Sequence, residues 1–121
     1  MISRLRKHTV SFKHALDGVI HNIKTQPNFR FHLLAMISVC LLGLYFNLSW
    51  IEWLVLVFTF NMVLVAEMVN TAIEAMVDLI SLEWRKDAHV AKDVSAGMVL
   101  VSAFFSVLIG LYIFLPKILT N

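Results

Sequence analysis

Glu67-Met-Val-Asn70-Thr-Ala-Ile-Glu74-Ala-Met-Val-Asp78 sets three carboxylates and an asparagine at spacings of three, four and four inside an otherwise apolar chain. Those spacings put Glu67, Asn70, Glu74 and Asp78 on one face of a helix. A carboxylate in or near a bilayer costs several kcal/mol, so such a stripe marks a working site rather than a filler. The remaining sequence reads as the scaffold that carries it.

Composition makes the bilayer the solvent for that scaffold. The 121 residues are 60% hydrophobic and 15% charged, with a mean hydropathy of +0.81. One small domain has too little interior to hide so much apolar surface from water. A net charge of +2, with no basic patch interleaved by aromatic residues, gives no reason to expect a nucleic-acid partner. The single Cys40 excludes an intramolecular disulfide and any zinc motif.

Working outward, the helical pattern around the stripe runs from Trp50 to about Ile80 without Gly or Pro. At 1.5 Å per residue this helix is about 45 Å long, against about 30 Å for the hydrocarbon core. Counting about 20 residues from Trp50 places the membrane boundary near Asn70. Glu67 then lies just inside it, while Glu74 and Asp78 lie in water. Before this helix, residues 31–47 make a first span, joined to it by a very short turn with Trp50 and Trp53 suited to the interface. Residues 94–115 make a third span, closed by Pro116, with Ser102, Ser106 and Gly110 as a seam for close helix packing.

Residues 9–24 form an amphipathic helix, with Phe12, Leu16, Val19, Ile20 and Ile23 on one face and Lys13, Asp17, His21 and Lys24 opposite. That pattern suits the membrane surface. Arg4, Arg6 and Lys7 open the chain, but the apolar run starts only near Phe31, so no cleavable signal is read here. Thr25-Gln26-Pro27-Asn28 reads as a turn, and Ser81 to Lys92 as a polar loop. Nine of the ten Lys and Arg lie in the amino-terminal segment and that loop. The positive-inside rule therefore puts both in the cytoplasm. The expected fold is an all-α membrane protein, a single domain over 1–121, with three transmembrane helices preceded by a surface helix.

A carboxylate stripe that crosses the interface suits phosphoryl transfer between a soluble nucleotide and a lipid hydroxyl. Glu67, nearest the lipid, is placed to accept a proton, and Glu74, one turn toward water, to hold a divalent cation. No Gly-rich phosphate loop is present, so the nucleotide site must be unconventional. A small oligomeric ion transporter or channel is the rival reading. It requires polar residues across the full bilayer depth, and the far part of all three spans is almost uninterruptedly apolar. A non-catalytic adaptor leaves the stripe without a purpose.

The stripe, together with Ala91-Lys92-Asp93-Val-Ser-Ala-Gly97, Asn28-Phe-Arg30-Phe-His32-Leu and Phe12-Lys-His-Ala-Leu-Asp-Gly18, resembles the bacterial integral-membrane diacylglycerol kinase and undecaprenol kinase family. The likeness covers nearly the whole chain. It implies an ATP-dependent lipid kinase in the bacterial inner membrane, using Mg²⁺ and assembled as a homotrimer with sites shared between subunits. By that resemblance Glu67 accepts the proton of the lipid hydroxyl, and Glu74 binds metal and nucleotide. Asn70 and Asp78 support the site. Lys7, His14, Gln26, Glu83, Trp84, Arg85, Lys92 and Asp93 fall on the nucleotide side; Asn28, Arg30, His32 and Ala96 fall on the lipid side.

Two positions distinguish this chain within the resemblance. Gln26 stands where the family often has a glutamate that serves as a second metal ligand, and an amide brings no charge. His32 resembles the undecaprenol kinase branch more than the diacylglycerol kinase branch, where an acidic residue is usual. Undecaprenol is therefore the expected acceptor, and diacylglycerol the alternative.

Overall fold

A computed structural model describes the backbone of residues 2–120 and the side chains of residues 11–120. Four helices follow one another: α1 (Ile2–Thr25), α2 (Pro27–Tyr45), α3 (Trp50–Ile80) and α4 (Lys86–Thr120). Helices α2, α3 and α4 are each long and apolar enough to cross a bilayer. Their outward surface is apolar, as a lipid solvent demands: Phe31, Leu41, Phe58, Leu100 and Phe104 are all exposed.

Helix α3 is the axis. Helix α4 packs along it, α2 packs against it over a shorter length, and α1 lies on α2 and α3. The tightest apolar packing gathers toward the α2–α3 turn, where Leu48, Leu56, Ile113 and Phe114 are buried among Phe46, Trp53, Phe60 and Ile109. The turn itself is fully bonded. Asn47 takes a positive φ of 50°, the N–H of Leu48 reaches Gly43 O at 3.1 Å, and that of Asn47 reaches Leu44 O at 3.3 Å. This is the Schellman ending of a helix, with Asn in the left-handed position. Two residues later Ser49 caps α3. Its hydroxyl accepts from the N–H of Glu52 at 3.3 Å, and its own N–H donates to Glu52 Oε2 at 2.8 Å, which completes a capping box.

Gly43 is required there. A Cβ on it would lie 2.7 Å from the Trp53 indole, a distance no side chain tolerates. At Gly110 a Cβ would meet nothing within 4 Å, so the Ser102–Ser106–Gly110 seam is not closed by a neighbouring helix at that point within one chain.

Helix limits depart from the sequence reading in four places. The surface helix begins at Ile2 instead of residue 9. The turn at 25–28 shrinks to Gln26, which is the N-cap of α2, with Pro27 in its first turn; the missing N–H of Pro has no partner at that position in any helix. The polar loop shrinks to residues 81–85, because α4 starts at Lys86. Residues 86–93 are polar because that end of the helix lies beyond the apolar stretch, not because they form a loop. Finally, Pro116 lies inside α4 instead of closing it. Only the bond to Tyr112 O is lost, and the last turn is retained, with Lys117 paired to Glu52 at 3.0 Å; membrane helices absorb such a proline readily.

Candidate functional site

Helical periodicity brings the stripe to one side of the Ser81 half of α3, facing α1, α2 and α4. Its deepest member is Glu67, only 2% exposed. His32 of α2 approaches it, with Nε2 3.2 Å from Glu67 Oε1. The approach is close, but the ring nitrogen is not aligned for a hydrogen bond, and Oε1 is left as a buried acceptor with no partner among the described residues. A buried polar atom of this kind is expensive unless something arrives to satisfy it. His32 also lines an apolar cavity of about 150 Å³ between α2, α3 and α4, walled by Ala35, Met36, Val39, Phe60, Val63 and Ser106 among others. An unsatisfied carboxylate oxygen thus lies 3.2 Å from a residue that lines a greasy pocket.

One turn on, Asn70 donates from Nδ2 to Glu74 Oε1 at 3.3 Å and accepts from the Ser95 hydroxyl at 2.7 Å. Glu74 is half-buried and has no cationic partner among the described residues. No group of three or more His, Cys, Asp or Glu side chains gathers there to form a metal cage. The arrangement fits Mg²⁺ nonetheless, since that ion is held by one or two carboxylates plus substrate phosphates and keeps several waters. Gln26 turns its amide nitrogen toward Thr25 Oγ1 at 3.5 Å, and its carbonyl oxygen has no partner among the described residues.

Toward the end of α3 the polarity rises. Asp78 forms an ion pair with Lys92 of α4 at 2.5 Å. Together with Glu83, Trp84, Arg85 and His89 these residues line a polar cavity of about 220 Å³ under the 81–85 loop. Five of the residues expected on the nucleotide side or in support of the stripe therefore share one cavity. Asp93 does not line it; it pairs with His89 at 3.5 Å. His89, which lines the cavity, thus links Asp93 to its rim.

The remaining expected residues stand apart. Arg30 is exposed and reaches back to Lys24 O at 3.4 Å. His14, Asn28 and Ala96 are exposed and make no hydrogen bond or ion pair to the stripe among the described residues. Lys7 lies outside the residues whose side chains are described.

Three buried polar residues next to the stripe escaped the sequence reading. Thr71 donates its hydroxyl to Asn22 Oδ1 at 2.8 Å, with Glu67 O as a second acceptor at 3.0 Å. Asn22 is 5% exposed and Ser95 2%. Among the described residues of α1 Asn22 is the buried one, while Phe12, Leu16, Ile20 and Ile23 point outward. The available signal was a lone amide between Val19 and Ile23, on a helix whose apolar face has lipid to meet.

Residues 13–114 match the family described as prokaryotic diacylglycerol kinase. The chain is 40% identical over 116 residues to an undecaprenol kinase of Bacillus subtilis (strain 168), a match covering 96% of this chain and 94% of that protein. It is 37% identical over 112 residues to a diacylglycerol kinase of Synechocystis sp., covering 92% of this chain and 64% of that longer protein.

Proposed function

Because the chain belongs to the prokaryotic diacylglycerol kinase family, whose two similar members are named as lipid kinases, we propose that it transfers the γ-phosphoryl group of ATP to the hydroxyl of undecaprenol. The observation that carries the chemistry is the buried, unpartnered Oε1 of Glu67. A lipid hydroxyl bound there donates its proton to that oxygen as the hydroxyl oxygen attacks the γ-phosphorus, and the bond from that phosphorus to the β–γ bridging oxygen breaks to release ADP. His32, 3.2 Å away, fixes the side of approach. The apolar cavity beneath it receives the first carbons of the lipid chain.

Glu74 would hold magnesium, which would offset the charge of the β- and γ-phosphates. Gln26 would assist through its amide oxygen without adding charge, leaving Glu74 as the chief protein ligand. Asn70 steadies Glu74. Arg85 and Lys92, near Trp84, supply the positive charge and aromatic surface for ATP at the polar cavity, with Glu83, Asp93, Lys7 and His14 as further nucleotide-side residues. Asn28, Arg30 and Ala96 flank the lipid. Phosphoryl transfer asks mainly for positioning and electrostatics, which this arrangement offers.

The basic residues of α1 and of the 81–92 region support a cytoplasmic side for the Ser81 end of the bundle, at a bacterial inner membrane. The exposed apolar side of α1, with Lys13 and Lys24 nearby, suits the membrane surface. A homotrimer is the assembly in which the broad apolar faces of α2 and α4 and the site residues left apart in one chain gain neighbours.

Undecaprenol is favoured by the 40% identity that spans nearly all of both proteins, while the Synechocystis relative keeps diacylglycerol in view. Purified protein in mixed vesicles, given labelled ATP and either lipid, separates the two. Faster labelling of undecaprenol is expected. Faster labelling of diacylglycerol would reverse the choice of lipid, and labelling of neither would overturn the kinase assignment for these acceptors.

A further inference from the structure

The hydrogen bonds around Glu74 have a direction that follows from donor and acceptor chemistry alone. An ionised carboxylate only accepts, so the side-chain atom of Asn70 facing Glu74 Oε1 at 3.3 Å must be its nitrogen. The amide oxygen of Asn70 then faces Ser95 Oγ at 2.7 Å. Ser95 carries one hydroxyl proton and has two acceptors in reach, Asn70 Oδ1 and Lys92 O at 2.9 Å. The shorter contact, and the need of a buried amide oxygen for a donor, assign the proton to Asn70. Ser95 is 2% exposed, so water does not substitute for it.

We propose that Ser95 is a positioning residue for the divalent cation: its hydroxyl fixes the amide of Asn70, which ties down one oxygen of Glu74 and leaves the other aimed at the metal. The proposal rests on Glu74 being the metal carboxylate. Without the Ser95 hydroxyl, Asn70 is free to turn its oxygen toward Glu74. The carboxylate then loses its donor and faces an acceptor, and it no longer presents a fixed oxygen to the ion. Partners of metal ligands commonly govern affinity in this way, at about 10–100-fold per removal.

The test is manganese binding to the full chain in phospholipid vesicles, with a non-hydrolysable ATP analogue present, read by electron paramagnetic resonance. Ser95→Ala is expected to weaken binding about tenfold. Alanine suits a helix interior, so circular dichroism should be unchanged. The Ser95→Ala/Asn70→Ala double variant should bind no more weakly than Asn70→Ala alone, because the serine acts only through the amide. Wild-type binding by Ser95→Ala, or losses that multiply in the double variant, would overturn the inference. Glu74→Gln is the control that separates the two layers. If it binds manganese as the wild type does, the metal role of Glu74 fails first and that of Ser95 with it.

Discussion

At its Trp50 end, α3 begins in a capping box, the preceding helix ends in a Schellman turn, and Lys117 latches Glu52 to the end of α4. At its Ser81 end Asp78 and Lys92 also tie the helix to α4, but the groups around that pair stay open. Leu79 and Leu82 are 87% and 91% exposed, Glu67 holds an unpartnered oxygen, and Glu74 faces no cation among the described residues. One end meets its own bonding needs within the chain. The other end keeps Glu67 and Glu74 open, which is what a site for a lipid hydroxyl, a metal and a nucleotide requires. Stability and chemistry are thus divided along one helix, and substitutions at its two ends should separate them.

The sharpest break comes from Glu67→Gln, which keeps the shape but removes the base. Turnover should fall about 10²–10⁴-fold, while helix content and thermal midpoint hold, since the amide keeps the shape of the carboxylate beside His32. Normal turnover would refute the role given to Glu67. The mirror-image experiment is Gly43→Val. With the Trp53 indole already 2.7 Å from a Cβ there, overpacking should cost about 1–3 kcal/mol. Tryptophan emission should shift while turnover per folded molecule stays the same; lost turnover without lost stability would show the two ends coupled.

A smaller effect sharpens the picture from the other side. Gln26→Glu adds a charged oxygen to the metal site and should lower the magnesium half-saturation a few-fold, about 1 kcal/mol in a hydrogen bond or ligand of ordinary strength. Identical half-saturation in both forms would remove Gln26 from the metal. Smallest of all, Glu52→Gln keeps the capping geometry but ends the ion pair with Lys117. Both partners are about a quarter exposed, so less than about 1 kcal/mol should be lost, and less still at high salt.

How much of this the sequence disclosed depends on what surrounds each residue. The long helix and its stripe were legible because helical spacing and apolar length are local properties, and the bilayer supplies a ruler. The ends of the helices were not. Polar residues 86–93 read as a loop because composition does not distinguish a coil from a helix that has left the apolar layer. Pro27 and Pro116 read as breaks, although one sits where no N–H is needed and the other where a single bond is spared. Asn22 was hidden because a lone amide carries no periodic signal, and only the fold brings Thr71 beside it. Ser95 and Thr71 carry no spacing of their own. Their importance arises from Asn70 and Asn22, which only the fold brings beside them. The groups expected at Asn28, His14 and Ala96 belong to parts of the surface that one chain does not bring to the stripe.

The α2–α3 turn carries a consequence for the order of events during synthesis. Its contacts join Gly43 to Leu48 and Trp53, and Ser49 to Glu52, all near neighbours whose closure costs little chain entropy. They are available as soon as the segment around them has been made. The Glu52–Lys117 latch cannot form until the last turn of α4 exists. The hairpin therefore enters the membrane with its register already set, and α4 arrives later to a template, bringing Ser95 and Lys92 to a row of carboxylates that has been waiting for them.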